Sequence, residues 1–223
     1  MAAIEPELQA LKENLQDMLA MVKRQMENCL FAIGKKDASL AQRVVDDEKK
    51  INAQELTIDR DCENLLALFT PVATDLRLVI ATLRITNDLE RIGDSAKSLA
   101  KILRRKPGKE FYKWMAELKL SDMLEILVSM LKDMADAIQE DDTKPALKAA
   151  KKDKSLNQCY KRAIKTTARL ILENPDHGNS ILSLFQMARN LERSGDLTKN
   201  IAEEVVFQIE ARVLKHKKNR KST

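Results

Sequence analysis

Four acidic side chains occupy matched positions of a repeated segment. Glu90 and Asp94 lie four residues apart, and Glu192 and Asp196 repeat the pair 102 residues later. Residues four apart project from the same face of a helix, so each pair places two carboxylates side by side. Because like charges repel, and repel more strongly near a core, each pair requires a cation, an arginine or protonation to be tolerated.

An acid and an asparagine, also four residues apart, precede each acidic pair. If the two helices of each half lie side by side, these residues and the acidic pairs form two sets of oxygen ligands. The eight residues are Glu48, Asn52, Glu90, Asp94, Asp153, Asn157, Glu192 and Asp196. Oxygen ligands suit magnesium, manganese, calcium or ferric iron better than copper, and carboxylates also bind zinc. The sequence therefore predicts metal sites and leaves the element open.

Ion pairing with arginine is the alternative for the same acids. The candidate arginines are Arg84, Arg91, Arg189 and Arg193. For a single acidic pair we would favour ion pairs, because acids four residues apart are common on helices. The recurrence of the pair, each time with an acid and an asparagine on the preceding helix, favours metal ligation instead.

A repeat relates the two halves of the chain. The segment NDLERIGDSAKSLA at 87–100 and the segment RNLERSGDLTKNIA at 189–202 are identical at seven positions, whereas average residue usage would give about one chance identity. Each half is predicted to contain one helix, a second helix with the acid and asparagine, and a third helix with the acidic pair.

Glycine and proline positions divide the chain into six long segments without interior proline, each predicted to be a helix. The predicted helices lie near 5–33, 37–69, 72–104, 110–140, 144–173 and 177–214. Asp37 is the predicted cap of the second helix, and Thr70 with Pro71 is the predicted start of the third. The predicted fold is all-α, with two related three-helix bundles side by side. Residues 1–106 form the first bundle, residues 107–214 the second, and residues 215–223 a basic C-terminal tail.

Composition and motif content argue against several classes of protein. No apolar run approaches the roughly 20 residues that a membrane helix needs. Cys29, Cys62 and Cys159 are odd in number and contain no C-x-x-C pair, so we expect them to be reduced core residues. The two histidines, His177 and His216, do not follow an acid at the Glu-x-x-His spacing of di-iron bundles. With no phosphate-binding glycine loop or nucleophilic triad either, we predict no catalytic residues, no organic cofactor and no enzymatic activity.

Three segments resemble the PhoU family: LERIGD and NLERSGDLTKNIAE, which carry the acidic pairs, and PVATDLRLV at 71–79. The resemblance covers essentially the whole chain. It implies two three-helix bundles with metal clusters on their surface, held by Glu90, Asp94, Glu192 and Asp196 and, by position, Glu48 and Asp153. Asn52 and Asn157 stand where many relatives have aspartate, and an amide supplies one uncharged oxygen, so metal affinity there is expected to be lower.

The resemblance also implies a role in phosphate homeostasis. Such proteins repress the phosphate-starvation response, and the implied partners are the ATPase of an ABC phosphate transporter and a two-component sensor kinase. The expected location is the cytoplasm, with the membrane reached only through the transporter, and a homodimer remains open. One alternative keeps the fold but serves a sodium-phosphate cotransporter.

A helical nucleic-acid-binding protein is the less favoured alternative. The net charge is +5, but the tail after Leu214 contains five basic residues, so the rest of the chain is neutral. Aromatic residues make up only 4% of the chain, which leaves few side chains for base stacking. We therefore predict no nucleic-acid partner.

Overall fold

The computed structural model describes residues 4–212, which form seven α-helices and one short 3₁₀ turn at Pro175–His177. The helices are α1 Glu5–Lys35, α2 Ala38–Leu68, α3 Ala73–Leu103, α4 Lys109–Glu117, α5 Leu120–Glu140, α6 Thr143–Glu173 and α7 Gly178–Glu210. The last helix ends at Glu210, four residues before the predicted end at 214, because Ala211 adopts a left-handed backbone with φ of 54°. The predicted basic tail 215–223 lies outside the described residues. None of these helices is both long and apolar enough to cross a bilayer.

The helices pack as two three-helix bundles, as predicted. In the first bundle α1, α2 and α3 contact one another, and in the second α5, α6 and α7 do so. The bundles meet through α3 against α7 and α1 against α5, which leaves α2 and α6 at opposite outer edges. One apolar core runs through both bundles, and it includes Ile85, Leu89 and Ile92 of α3 and all three cysteines.

The predicted helix 110–140 is divided in two, which corrects the sequence interpretation. Helix α4 ends at Glu117, and Lys119 adopts a left-handed backbone with φ of 59° before α5 begins. This conformation costs on the order of 1 kcal/mol for a residue with a side chain. The break turns Phe111, Trp114 and Met115 into the core, and the burial of each such side chain contributes about 1.5–3 kcal/mol.

Helix starts are set by capping residues, of which one was predicted correctly and one wrongly. The Asp37 carboxylate accepts hydrogen bonds from the backbone N–H groups of Ser39 and Leu40 at 2.9 and 3.0 Å, which confirms it as the cap of α2. Thr70 does not cap α3, because its backbone is left-handed (φ 47°) rather than extended. The chain turns there, and α3 begins three residues later at Ala73.

Candidate metal centres

The first acidic cluster comprises Glu48 and Asn52 on α2 and Glu90 and Asp94 on α3. The two helices lie side by side, as the prediction required. Glu48 is almost fully buried, and its Oε1 accepts a hydrogen bond from Asn52 Nδ2 at 2.8 Å. Its Oε2 forms an ion pair with Lys97 Nζ at 2.7 Å, and the same ammonium lies 3.9 Å from Asp94 Oδ1. Lys97 therefore supplies a positive charge to Glu48 and, at a longer distance, to Asp94.

Charge is unevenly balanced within the first acidic cluster. Burial by itself would raise the pKa of Glu48, but the hydrogen bonds from Lys97 and Asn52 outweigh it and hold the pKa below its ordinary value. The pKa of Glu90 is raised, first by desolvation and then by repulsion from Asp94, Glu55 and Glu48. Lys97 thus satisfies Glu48 while Glu90 retains a demand for cationic charge.

Glu55 belongs to the same electrostatic group and was not predicted from the sequence. Desolvation raises its pKa first, and repulsion from Asp59 and Asp94 adds to that shift. Glu55 follows Glu48 by seven residues, which is two helical turns on the same face of α2. That spacing was the available signal, and it adds a carboxylate to the first acidic cluster.

The second acidic cluster comprises Asp153 and Asn157 on α6 and Glu192 and Asp196 on α7. Asp153 is 4% exposed, and its Oδ2 accepts a hydrogen bond from Asn157 Nδ2 at 3.0 Å. Its Oδ1 is buried and has no hydrogen-bond donor. Lys199 occupies the repeat position of Lys97, but its ammonium has no carboxylate within 4.0 Å among residues 4–212.

The repulsion between carboxylates is therefore less well neutralised by lysine in the second acidic cluster than in the first. Desolvation raises the pKa of Asp153, repulsion from Asp196 raises it further, and Lys199 only partly offsets the two. The pKa of Glu192 is raised by desolvation and by the charges of Asp196 and Asp153. The folded protein thus favours a proton or a cation at these carboxylates.

Aromatic packing also distinguishes the two clusters. The repeat position of Glu55 is Tyr160, whose ring stacks on Phe185 with centroids 5.8 Å apart and planes 16° apart. Phe185 stands at the repeat position of Leu83. The second acidic cluster thus has an apolar wall where the first has an additional carboxylate.

The predicted alternative of arginine pairing does not account for either cluster. Arg84 pairs with Glu204 at 3.1 Å and Arg91 with Asp88 at 3.5 Å, so both guanidinium groups are directed to other acids. Within the described chain, Arg189 and Arg193 have no ion pair with Glu192 or Asp196 within 4.0 Å. The cation nearest to the buried acid of the first cluster is a lysine.

The donor chemistry of both clusters suits a hard cation. Asn52 Oδ1 and Asp153 Oδ1 are buried acceptors without a hydrogen bond, one in each cluster. Among residues 4–212, however, no three histidine, cysteine or acidic side chains converge in an arrangement that holds a metal ion. Metal ligation by the eight predicted residues therefore requires their side chains to reorient, and in the first cluster requires Lys97 to release Glu48.

Glycine lets the helices of each cluster approach closely. A Cβ at Gly93 would lie 3.1 Å from Ile51 Cδ1, at the flexible end of that side chain. A Cβ at Gly195 would overlap Leu156 Cδ2 and would lie 3.4 Å from Asp153 Oδ1. The fit at Gly195 is the tighter of the two, because the added Cβ would overlap Leu156, whereas at Gly93 it would only come close to Ile51.

Alanine at the two glycines is expected to give different outcomes. Gly195→Ala should destabilise the protein by about 1 kcal/mol, because overpacking at Leu156 costs about 1–3 kcal/mol and exceeds the helix-propensity gain of about 1 kcal/mol. Gly93→Ala should change stability by less than about 1 kcal/mol, since Ile51 needs to move only slightly. Urea unfolding of both variants measures the difference, and equal midpoints would contradict the assigned packing.

Comparison with known sequences gives the family. The sequence profile of the PhoU domain matches residues 15–103 and again residues 120–205. The chain belongs to the PhoU family. A relative from Pseudomonas putida, named phosphate-specific transport system accessory protein PhoU homolog, is 32% identical over 94% of this chain and 82% of its own length. The PhoU accessory protein of Edwardsiella tarda is 30% identical over 94% of this chain and 86% of its own.

Solved PhoU structures share the fold. The crystal structure of PhoU from Pseudomonas aeruginosa has a TM-score of 0.86 and 29% sequence identity, and it covers 94% of this chain and 100% of its own. The PhoU structure from Streptococcus pneumoniae has a TM-score of 0.79 at 25% identity, covering 95% of this chain and 99% of its own. The predicted PhoU resemblance and the two-bundle fold are therefore confirmed, and these relatives are named as accessory or regulatory proteins.

Proposed function

We propose that this chain is an accessory regulator of phosphate-specific transport and that it represses the phosphate-starvation response. The observation that carries the proposal is that the PhoU domain matches the chain twice, once in each bundle. The relatives align over 94% of the chain and therefore also span both bundles. The relatives are named for phosphate-specific transport. The role is that of a binding protein, and no residue is assigned to catalysis.

The two acidic clusters are proposed to hold metal ions. Glu90 with Asp94, and Glu192 with Asp196, would provide the carboxylates, and the buried oxygens on α2 and α6 would complete each set. A bound cation would neutralise the repulsion that raises the pKa of Glu90 and Glu192. It would also hold α2 against α3 and α6 against α7, so that a rigid surface is presented to partners.

The proposed partners are the ATPase of an ABC phosphate transporter and a two-component sensor kinase. Both would be met on the cytoplasmic side, and the chain would act as the adaptor between them. A rigid helical surface suits this role, because less conformational entropy is lost when a preorganised surface binds.

A pair of double variants tests the metal and the regulation separately. The variants are Glu90→Ala with Asp94→Ala, and Glu192→Ala with Asp196→Ala. The matched control is Glu13→Ala with Asp17→Ala, which removes two exposed acids four residues apart on α1. Each is expressed in a host that lacks its own regulator, and a phosphate-starvation reporter is measured in phosphate-rich medium. Metal content is measured by elemental analysis of protein purified without added metal.

We expect both cluster variants to lose metal and to leave the reporter switched on, whereas the control behaves as the wild type. Normal repression by variants that have lost metal would refute the metal-dependent mechanism and leave the regulatory role standing. Failure of the wild-type chain itself to repress the reporter, or to co-purify with the transporter ATPase, would refute the regulatory role.

A further inference from the structure

Helix α6 concentrates the positive charge of the molecule. It carries nine lysines and arginines but only two acids, for a net charge of +7. Helix α2, its counterpart in the first bundle, carries four basic and seven acidic residues, for a net charge of −3. The internal repeat therefore conserves the position of the helix while its charge is reversed.

The net charge of α6 is positive, whereas the net charge of the rest of the described molecule is negative. Five of the 39 basic residues lie in the tail after Arg212, which leaves 34 basic and 34 acidic residues in the rest of the chain. With α6 at +7, the remainder of the described molecule therefore carries −7. Such a separation of charge creates a strong local potential and orients the molecule toward an anionic surface.

Eight of the nine basic residues form one exposed face, here called the basic face of α6. They are Lys144, Lys148, Lys151, Lys154, Lys161, Arg162, Lys165 and Arg169, and all are exposed. At about 100° per residue they fall within an arc of about 140°, and at about 1.5 Å per residue they extend over about 38 Å. Because α6 packs mainly against α5 and α7, and meets α4 through Arg169 and Glu117, this face forms an outer edge of the described molecule.

Most of the basic face is not neutralised by neighbouring acids. Lys148 contacts Asp133 at 2.9 Å, and Arg169 contacts Glu117 at 2.6 Å and Glu173 at 2.8 Å. The other six cations have no carboxylate within 4.0 Å among residues 4–212. These six positive charges are available to an external anionic partner.

We propose that the basic face of α6 docks on an anionic lipid bilayer. A band of cations on an outer edge can face a flat surface, and clusters of four to eight lysines and arginines on a helix are typical of binding to acidic lipid headgroups. Leu172 is 83% exposed beyond the last turn of the row, where its side chain can enter the interfacial region. The contact is peripheral, and the helix remains part of its bundle.

The composition of the face favours lipid over the other anionic partners. Six of the eight cations are lysines, a residue depleted from protein–protein interfaces, where arginine and aromatic residues are enriched. The exposed face has no aromatic side chain on which nucleic-acid bases could stack, since Tyr160 on this helix is stacked on Phe185. Binding to acidic lipid headgroups requires positive charge but no aromatic side chains, and the basic face of α6 has this composition.

Vesicle co-sedimentation of the full-length protein tests the proposal. The probes are vesicles of pure phosphatidylcholine and vesicles in which about a third of the lipid is phosphatidylglycerol, at low salt and at roughly 0.5 M salt, where screening is strong. The variant is Lys151→Glu with Lys161→Glu and Lys165→Glu. The matched control is Arg43→Glu with Lys49→Glu and Lys50→Glu, which makes the same change of charge on the exposed side of α2. All proteins keep the basic tail, so their differences report on the helices.

We expect the wild type to bind the anionic vesicles at low salt and to be released at high salt, with little binding to phosphatidylcholine. At about 1 kcal/mol for each cation, the α6 variant should bind roughly a hundredfold more weakly, whereas the α2 control should be less affected. Circular dichroism should show unchanged helix content in both, because glutamate and lysine have similar helix propensities.

Three outcomes would overturn the proposal. The first is the absence of wild-type binding to anionic vesicles, including the case in which the protein instead binds duplex DNA or an acidic protein. The second is equal binding of the α6 variant and the α2 control, which would assign the lipid contact to another segment such as the tail. The third is equal binding to both vesicle types, which would indicate nonspecific adsorption.

Discussion

Replacing Asp133 with alanine is expected to destabilise the protein by about 3 kcal/mol, because the change breaks a buried ion pair and leaves a charge behind. Asp133 lies on α5 and is 4% exposed. Its carboxylate contacts Lys148 Nζ at 2.9 Å and Lys152 Nζ at 2.6 Å, both from α6. Lys148 is largely exposed and can rehydrate, but Lys152 is mostly buried and would retain only its contacts with Ser129.

The cost of Asp133→Ala should depend on pH in a defined direction. Burial would raise the pKa of Asp133, but the hydrogen bonds from Lys152 and Lys148 outweigh it and place the pKa below the ordinary value of 3.8. A carboxylate whose pKa is lowered by folding stabilises the protein fully above its unfolded pKa and loses that contribution as the pH falls through the folded pKa. The difference between wild type and variant should therefore be constant near neutrality and shrink below about pH 3.8.

Denaturant unfolding at several pH values measures this prediction, with Glu125→Ala as the control. Glu125 is an exposed acid on the same helix, and its removal should change stability by less than about 0.5 kcal/mol. If Asp133→Ala cost no more than this control, the ion pairs between α5 and α6 would not contribute to stability as inferred. The assignment of Asp133 as the main electrostatic link between these helices would then be wrong.

The fold could be predicted because its signals are local or repeated. Glycine and proline mark most of the chain reversals, and the matched LERIGD and LERSGD segments fix the correspondence of α3 with α7. The division between α4 and α5 could not be predicted, because the residue that turns the chain is Lys119 rather than a glycine. The burial of Phe111 and Trp114 imposes that turn, and it depends on packing between helices that are distant in sequence.

The acidic clusters were only partly predictable. Helical spacing placed the paired acids on neighbouring helices, and the structure places them together. The identity of the compensating cation was not predictable, because Lys97 and Lys199 hold equivalent positions and yet only Lys97 pairs with a buried acid within the described chain. The copies have glutamate at position 48 but aspartate at position 153. The aspartate side chain is one methylene shorter, which reduces its reach toward the lysine.

Neutralising the buried acid of each cluster is expected to have opposite effects in protein freed of metal. Glu48→Gln should destabilise it by about 2 kcal/mol, because a charged hydrogen bond with Lys97 is lost and such bonds contribute about 1.5–3 kcal/mol. Asp153→Asn should stabilise it by about 1 kcal/mol, within the range of other changes that relieve unfavourable charge. Both substitutions keep the shape of the side chain and an oxygen that can accept from the neighbouring asparagine.

The pH dependence of the two variants separates their causes. The pKa of Glu48 is lowered by folding, so the cost of Glu48→Gln should be complete above the ordinary value of 4.5 and disappear as the pH falls through the folded pKa. The pKa of Asp153 is raised by folding, so the gain in stability from Asp153→Asn should be complete above the folded pKa. The gain should disappear as the pH falls below 3.8, because the carboxyl is then protonated in both the folded and the unfolded protein. The two differences therefore have opposite signs at neutral pH and both diminish in acid.

Metal should reverse the order of wild type and Asp153→Asn. A cation bound only by the folded protein stabilises it by an amount that grows with the ratio of free metal to the dissociation constant, about 2.7 kcal/mol at a hundredfold excess. The wild type keeps the carboxylate that attracts the cation, so its unfolding midpoint should rise above that of Asp153→Asn when chelator is replaced by metal. If the midpoints of both proteins rise equally, Asp153 is not a ligand. If Asp153→Asn is the less stable protein even with chelator, the repulsion inferred for the second acidic cluster is absent.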